Sequence, residues 1–352
     1  MFKKFTSIIL FFPIFLLAYQ NQVDSIIIIG NKNTKDHVVF REILHPVNNV
    51  LDSTILKEDI NRLYNLGIFS SVDIKLENNI YKVNLVESFF IIPDLVIDYS
   101  EIARKWSYGL GLAHLNFMGL NQELYLGGAF IGEKWFAISL NNPWITGDHV
   151  SLQSTLYNKF SDNPFYEYRY HETYFSLKSG FYNGLKNKFE YGLSYYRNKK
   201  HTTSELVHEN EKNIYKYLSF EFDYQFDTRD VYRDPTKGSL FGFNFRYSRS
   251  LIEDSPNVAK LSLSYDKYIL TRIKYLHQPV LSYGIYSSFK FPKFSDLPIH
   301  EYIYIGGEDY VRGYSSDSNE SPENFDIDLE VSNVIYNYIE LQSTILKKKD
   351  YG

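Results

Sequence analysis

Residues 218–226 read Leu-Ser-Phe-Glu-Phe-Asp-Tyr-Gln-Phe, an unbroken alternation of apolar and polar side chains. Successive side chains of a β-strand point to opposite faces, so this segment is predicted to be a strand with one apolar and one polar face. Runs at 189–196, 241–248 and 261–266 repeat the pattern. The strands they predict are each about ten residues long, which is the length that a tilted strand needs to cross a bilayer.

The same criterion predicts thirteen strands after residue 90. They lie near residues 92–100, 106–117, 121–131, 134–142, 149–160, 171–182, 187–198, 214–226, 238–250, 258–270, 276–290, 325–334 and 337–346. The connections alternate between tight turns, such as 119–121, and long polar loops, such as 199–213 and 291–324. We therefore assign residues 90–352 to an all-β transmembrane antiparallel β-barrel. A soluble β-sandwich is the alternative, which explains the outward Phe and Tyr less well.

The composition agrees with a membrane barrel. The chain has 352 residues with 32 Tyr and 27 Phe, yet its mean hydropathy is −0.31. Strands with one apolar and one polar side, and with aromatic residues at both interfaces, produce such numbers. The absence of Cys excludes a disulfide scaffold, a thiolate metal site and a Cys nucleophile. The formal net charge of −5 argues against nucleic acid as a partner.

The N-terminal residues predict an export signal. Lys3 and Lys4 precede an apolar stretch at 8–17, which is too short to span a bilayer as a helix. We therefore expect residues 1–19 to be a secretory signal peptide, with an N-terminal core helix as the alternative. No later segment approaches about 18 consecutive apolar residues, and an exported chain of this kind can enter a membrane only as a closed barrel.

Residues 23–88 have a different texture, which predicts a small α+β domain with two helices. Thr34 is expected to cap the first helix, over about residues 35–44. Asp52 or the next residue caps the second helix, and Gly67 ends it. Apolar residues recur at helical spacing in both segments, so each helix is expected to bury one face.

A strand at 25–29 precedes the helices, and a hairpin of strands at 69–76 and 80–86 follows them, which gives the order β-α-α-β-β. This order and a hydrophobic skeleton resemble a POTRA domain. The skeleton consists of Gly30, Leu63, Leu66, Gly67, Phe69 and Val72. POTRA domains precede outer-membrane assembly barrels, so the resemblance implies that residues 23–88 lie in the periplasm in front of the barrel.

A motif in the long loop after the eleventh strand reads Gly306-Gly307-Glu308-Asp309-Tyr310-Val311-Arg312-Gly313-Tyr314. It resembles, in sequence and placement, the Gly-Gly-x-x-x-Val-Arg-Gly-Phe/Tyr loop of the BamA-like assembly and two-partner-secretion transporter superfamily. The resemblance implies that this loop folds into the barrel lumen and that Arg312 meets acidic and aromatic groups there. A guanidinium suits this role because it forms bidentate, charge-assisted hydrogen bonds. Glu330 is a candidate partner of Arg312, with a solvated lumen-facing Glu as the equal alternative.

A second motif joins two predicted strands at residues 227–238. Its matching positions are Asp227, Arg229, Asp230, Pro235 and Gly238. It resembles the Asp-x-Arg-Asp…Pro-Thr-x-Gly connection of the same family. Carboxylates can accept hydrogen bonds from turn amides, and Pro and Gly preset the backbone, so we expect a structural role.

The family's barrels have about sixteen strands and end on a strand with a terminal aromatic residue. Here only about forty residues follow Tyr314, and the chain ends Lys347-Lys348-Lys349-Asp350-Tyr351-Gly352. We therefore expect a C-terminally incomplete barrel with about 13 strands, preceded by a single POTRA domain.

The resemblance implies an outer-membrane protein that assembles or inserts other outer-membrane proteins, with export of one partner protein as the alternative. The implied partners are outer-membrane lipids, unfolded outer-membrane or secreted β-rich proteins, periplasmic chaperones and accessory lipoproteins, and no nucleic acid. The sequence shows no catalytic or metal-binding spacing, so we expect no enzyme, metal or cofactor. His114 and His171 are expected to fill the lumen as polar side chains. A passive porin and a barrel lipase remain as further hypotheses.

Overall fold

The computed structural model describes residues 21–100, 105–146, 150–162, 169–184, 186–201, 212–304 and 330–344. Across these ranges, no helix is long and apolar enough to cross a membrane. The expected signal peptide and the motif at 306–314 lie outside the described residues.

The first domain is a three-stranded sheet covered by two helices. Its elements are β1 (Gln22–Val23), β2 (Ser25–Ile29), α1 (Asp36–Phe40), β3 (Asn49–Val50), α2 (Ser53–Asn65), β4 (Phe69–Glu77) and β5 (Ile80–Glu87). The sheet order is β2-β5-β4, with β2 parallel and β4 antiparallel to β5, while β1 and β3 form a separate short ladder. The expected order β-α-α-β-β is confirmed, with β1 and β3 as additions.

Local signals explain the ends of α2 and the hairpin. The Asp52 carboxylate accepts hydrogen bonds from the amides of Thr54 (2.7 Å) and Ile55 (3.4 Å), and so caps α2. Gly67 stops the helix with φ of 71°. Asn78 and Asn79 also have positive φ, 51° and 62°, as a two-residue hairpin turn requires.

The first helix is shorter than expected, and its predicted cap is wrong. The structure ends α1 at Phe40, and Thr34 accepts a hydrogen bond from Asn116 (2.9 Å) in the second domain instead of capping. The amides of Leu44 and His45 donate to the carboxylate of Asp59 on α2, at 2.8 and 3.3 Å. These amides are therefore held away from a helical path by a contact that local sequence does not show.

The second domain is one twelve-stranded antiparallel sheet. Its strands are β6 (Ile91–Ser100), β7 (Lys105–Phe117), β8 (Gln122–Ile131), β9 (Trp135–Asn142), β10 (Ser151–Asp162), β11 (Arg169–Asn183), β12 (Asn187–His201), β13 (Ile214–Asp227), β14 (Gly238–Ser250), β15 (Val258–Leu270), β16 (His277–Phe291) and, after the short β17 (Ile303–Tyr304) and β18 (Glu330–Val331), β19 (Asn333–Thr344). Each strand pairs with the next, from β6 to β16 and then β19. Within the described residues, β6 and β19 are the sheet's edges.

Eleven predicted strands are found, and the last two predictions need correction. Of the strand expected at 325–334, residues 325–329 lie outside the described residues, and β18 pairs outside the main sheet. The break expected between 334 and 337 is wrong, because β19 runs through residues 335 and 336. Ile335 and Tyr336 favour the strand conformation, and β19 contains neither Gly nor Pro, so nothing interrupts the ladder there. The main sheet therefore has twelve strands among the described residues, compared with about 13 expected for the whole barrel segment.

The two faces of the sheet have opposite polarity, as the alternation predicts. Leu193 and Phe220 are 59% and 45% exposed on one face, while Ser194 and Glu221 on the other are 3% and 7% exposed. We call the apolar face the outward face and the polar face the inner face. An apolar outward face is what a hydrocarbon surrounding requires.

Because neighbouring strands are antiparallel, every second connection lies at the same end of the sheet. Two of these connections form hydrogen bonds with the first domain. The Lys35 amide donates to the Gly119 carbonyl (3.0 Å) in the β7–β8 turn, and the Tyr232 amide in the β13–β14 turn donates to the Asn65 side chain (2.9 Å). A Cβ on Gly119 would lie 2.3 Å from the Asn33 carbonyl oxygen, so this close approach requires glycine. The C-terminal ends of β6, β8, β10, β12, β14 and β16 lie at the opposite end of the sheet.

Candidate functional site

The segment that follows β16 returns onto the inner face of the sheet and is anchored there by Glu301. Its carboxylate accepts from Arg246 Nη2, at 2.7 Å to each oxygen, and pairs with Lys290 Nζ at 3.1 Å. Lys290 also donates to the Glu301 carbonyl. Arg246, Lys260 and Lys290 stand directly opposite one another on β14, β15 and β16. Glu301 thus pairs with the two outer members of a row of three cations that would otherwise repel.

Aromatic and apolar contacts complete this anchor. The His300 ring lies among tyrosines of β12 and β13, with its centroid 5.4 Å from Tyr196, 4.7 Å from Tyr215 and 5.9 Å from Tyr217. Leu297 is buried and packs in the same cluster. The arrangement fixes the segment against the wall near the end remote from the first domain. We call residues 297–301 the lumenal anchor.

The lumenal anchor leads directly into the loop that carries the predicted Arg312 motif. Ile303 pairs with Val331, and Tyr304 with Glu330, so the two ends of the loop are joined by a two-rung antiparallel ladder. Gly306, Gly307, Val311, Arg312, Gly313 and Tyr314 lie outside the described residues, as does the side chain of Glu330. The pairing of Arg312 with Glu330 therefore stays a prediction.

The predicted motif between β13 and β14 forms a self-bonded turn. Arg229 makes a bidentate pair with Asp227, with Nε–Oδ1 at 3.0 Å and Nη2–Oδ2 at 2.7 Å. Gly238 adopts φ of 105°, and a Cβ there would lie 2.2 Å from the Thr228 carbonyl oxygen. Pro235 is buried at the turn. These contacts agree with a structural role for the motif.

Asp230 organises the same turn. Its carboxylate accepts from the amides of Val231 (3.1 Å), Thr236 (3.0 Å) and Lys237 (3.3 Å), and from the Thr236 hydroxyl (2.6 Å). Burial alone would raise the pKa of Asp230, but these hydrogen bonds to the charged form outweigh burial and lower it. The pKa of Arg229 is raised, chiefly by its hydrogen bond to Asp227.

The structure places the predicted skeleton of the first domain in and around its core. Leu63 and Phe69 are buried, and Leu66 and Val72 pack against the same cluster. Gly30 has φ of 99°, and a Cβ there would lie 1.9 Å from the Leu85 carbonyl oxygen, so no other residue fits.

Two further contacts at the boundary of the two domains escaped the sequence analysis, one within the first domain and one across the boundary. The Glu87 carboxylate accepts from the amides of Asn33 (3.0 Å) and Thr34 (2.7 Å), beside the Gly119 contact. Burial raises the pKa of Glu87, but the hydrogen bonds from Thr34 and Asn33 outweigh it and lower the pKa. The Arg41 guanidinium lies 4.4 Å from the ring centroid of Trp144, in the β9–β10 connection. The domain is thus held against several turns of the sheet.

Two buried acids were also missed. Asp59 is fully buried and accepts from the Tyr81 hydroxyl (2.8 Å) as well as from two amides. The sequence did contain a signal for Asp59, because this acid lies among the apolar positions of α2. Glu301 had a weaker signal, since it is the single acid in the run from Leu297 to Tyr304.

The expectation that His114 and His171 fill the lumen is wrong. His171 stacks on Phe160, with ring centroids 4.3 Å apart, on the outward face. His114 pairs with Ile91 at the start of the sheet, where its ring lies between Phe90 and Phe117. Strand alternation alone did not determine the face, because both histidines lie near strand ends.

Comparison with known proteins agrees with this architecture. The family model described as the Omp85 superfamily domain matches residues 116–347, and a POTRA model, described as the surface antigen variable number repeat, matches residues 22–88. The chain belongs to the Omp85 superfamily. It is therefore an outer-membrane protein of Gram-negative type, with its POTRA domain in the periplasm, and the inner face of its sheet lines the barrel lumen.

Individual relatives are more distant. The chain is 24% identical over 311 residues to the outer membrane protein assembly factor BamA of Nitratidesulfovibrio vulgaris, covering 84% of this chain and 38% of that protein. The crystal structure of BamA from Haemophilus ducreyi lacking POTRA domains 1–3 has a TM-score of 0.59 at 17% identity, covering 93% of this chain and 69% of that one. CdiB from Escherichia coli also has a TM-score of 0.59, at 14% identity, covering 93% and 62%. These structures share the fold.

Proposed function

We propose that this protein assembles outer-membrane proteins without enzymatic chemistry, and that its POTRA domain receives substrate strands by β-augmentation. The observation that carries the proposal is the free edge of β2. The sheet order β2-β5-β4 leaves β2 at one edge, and Ile27 and Ile29 on it are 42% and 47% exposed. An unpaired backbone edge beside exposed apolar side chains is what an added strand requires.

The position of β2 supports transfer to the barrel. Gly30 ends this strand, and the following residues Asn33–Lys35 contact the β7–β8 turn through Gly119. That turn lies at the end of the sheet where β6 is the edge strand among the described residues. A strand added to β2 would therefore approach the seam edge of the barrel.

The other edge, β4, is less suited to substrate. It begins with a register shift between Phe69 and Ser71, and it carries an exposed Asp73–Lys75 ion pair (2.8 Å). Bulges and charges on an edge strand oppose the addition of another strand.

A reconstituted folding assay tests the proposal. The full chain in proteoliposomes should accelerate the folding of a urea-unfolded outer-membrane barrel relative to empty liposomes. Ile27→Asp/Ile29→Asp should remove most of this acceleration, because the charges oppose apolar docking. Val86→Asp, an exposed apolar position of β5 beside β4, is the matched control. Loss only in the control would move the docking site to β4, and no acceleration by the unaltered protein would refute assembly activity.

Arg312 offers a second test of the assembly proposal. We expect Arg312→Ala to lower substrate assembly or the stability of the barrel, because the loop would lose the cation that the family resemblance places in the lumen. Arg233→Ala, at an exposed position of the β13–β14 turn, removes the same charge and should have no such effect. Unchanged membrane levels and unchanged substrate assembly in Arg312→Ala would rule out the role.

The alternative is export of one partner protein through the lumen. The TM-score of CdiB from Escherichia coli equals that of BamA from Haemophilus ducreyi, so the fold supports the export alternative as well as assembly. Secretion of a single partner that stops on depletion, with other outer-membrane proteins at normal levels, would select export over assembly.

A further inference from the structure

The outward face carries three cations and a histidine at the end of the barrel remote from the POTRA domain. Arg197 and Lys199 lie near the end of β12, Lys216 near the start of β13, and His171 near the start of β11. All four stand on the face that also carries Leu193. We call these four residues the outer cation patch.

Cross-strand pairing in the outer cation patch places two permanent cations together. Arg197 stands directly opposite Lys216, and Lys199 stands opposite the imidazole of His171. Like charges opposite one another destabilise a sheet. Arg249 of β14 and His201 of β12 extend the basic surface on the same face. An anion beside these cations would therefore stabilise this part of the sheet.

The protein supplies such a counter-charge on the inner face but not here. Inside, Arg246 and Lys290 both pair with the carboxylate of Glu301. Outside, neither Arg197, Lys199 nor Lys216 has a carboxylate of the described residues within 4.0 Å. Among the described residues, the patch therefore has no carboxylate counter-charge of its own.

Apolar side chains surround the patch on two sides. Phe160 stacks against His171 at 4.3 Å, and Asn158 hydrogen-bonds the same ring (2.7 Å). Farther along β11 from His171, toward the membrane centre, Phe175 and Leu177 are exposed on the outward face. Cations at the membrane edge above an exposed apolar band match a lipid with a phosphorylated headgroup and acyl chains.

We propose that the outer cation patch binds the phosphate groups of an anionic lipid in the outer leaflet, with the acyl chains against the apolar band below. The leaflet follows from strand parity, because the patch lies at the end away from the periplasmic domain. The proposal rests on the outer-membrane location and is independent of the assembly activity.

Equilibrium binding to diphosphoryl lipid A in neutral detergent micelles tests the proposal with the full chain. Lys199→Gln should weaken binding about fivefold, the effect of one cation near an anionic headgroup. Arg197→Gln/Lys199→Gln/Lys216→Gln should weaken it more than tenfold. Dephosphorylated lipid A should bind the unaltered protein as weakly as diphosphoryl lipid A binds this triple variant, and added salt should reduce the difference.

The matched control removes three cations at the opposite rim. Lys267 on the outward face of β15, with Arg272 and Lys274 in the exposed β15–β16 turn, provides Lys267→Gln/Arg272→Gln/Lys274→Gln. This variant should bind diphosphoryl lipid A like the unaltered protein. Equal losses in both triple variants, or no loss in the patch variant, would overturn the proposal.

A stability readout keeps the test valid if a variant folds poorly. Without anionic lipid, the patch triple variant should unfold at the same temperature as the unaltered protein or higher, since like-charge repulsion is relieved. Diphosphoryl lipid A should raise the unfolding temperature of the unaltered protein and of the rim control, but not that of the patch variant. A rise in all three would contradict the proposal.

Discussion

The POTRA domain and the barrel use the same strand alternation with opposite results. In the POTRA domain the hidden face is apolar, with Tyr81 and Val83 of β5 fully buried in one cluster. In the barrel the hidden face is polar, and Ser219 and Glu221 are buried there while Leu193 is exposed. The difference shows that a period of two specifies two faces, while the surrounding solvent decides which face is hidden.

The largest expected effect is the loss of apolar volume in the POTRA core. Leu63→Ala should lower the free energy of unfolding by about 4 kcal/mol, because a fully buried side chain leaves a cavity. Leu193→Ala on the outward face should cost less, since lipid or detergent fills the space. Urea unfolding of both variants in micelles measures the contrast. Equal losses would break the distinction between the two interiors.

The polar interior should depend on charge in the way that the POTRA core depends on volume. Glu301→Gln keeps the shape but leaves Arg246 and Lys290 uncompensated, so we expect a loss of about 3 kcal/mol in barrel stability. The heat-modified gel shift of the folded barrel reports this loss. Asp296→Asn is the control and should change little, because this exposed acid has a 4.0 Å contact to Lys293 and a hydrogen bond from the neighbouring Ser295 hydroxyl. Similar midpoints for both variants would argue against the lumenal anchor.

The smallest effect belongs to the turn at the boundary of the two regions. The pKa of Asp230 is lowered in the folded state, so its contribution is present above the ordinary pKa of about 4 and is lost as pH falls through the folded value. Asp230→Asn should cost about 1 kcal/mol at pH 7 and show less loss of stability on acidification. Asp234→Asn is the control for the removed charge. Unfolding midpoints of the variants and the unaltered protein at pH 7 and pH 3 measure these effects. If acidification lowers the midpoints of Asp230→Asn and of the unaltered protein equally, Asp230 does not contribute the pH-dependent stability.

Much of the fold could be predicted because its signals are local. Alternation located eleven of the barrel strands, Asp52 and Gly67 marked the ends of α2, and the Asp230 turn had a recognisable motif. Propensity and turn chemistry act within a few residues, so a single sequence contains them.

The errors come from contacts between distant residues. Asp59 holds the amides of Leu44 and His45 and shortens α1, and Thr34 binds Asn116 across the domain boundary. Glu301 was missed because its row of cations forms only when three strands are paired. Such sites depend on register, which the sequence pattern specifies by face but not by partner.

The two-rung ladder between Ile303–Tyr304 and Glu330–Val331 has a consequence for the loop between them. Because this ladder joins residues 303–304 to residues 330–331, the two ends of the intervening segment are already held together. The entropy of ring closure changes slowly with length, by about 0.6 kcal/mol for each doubling. Insertions between residues 305 and 329 can therefore vary in length at small thermodynamic cost, while Glu301 keeps the loop's point of departure fixed on the wall.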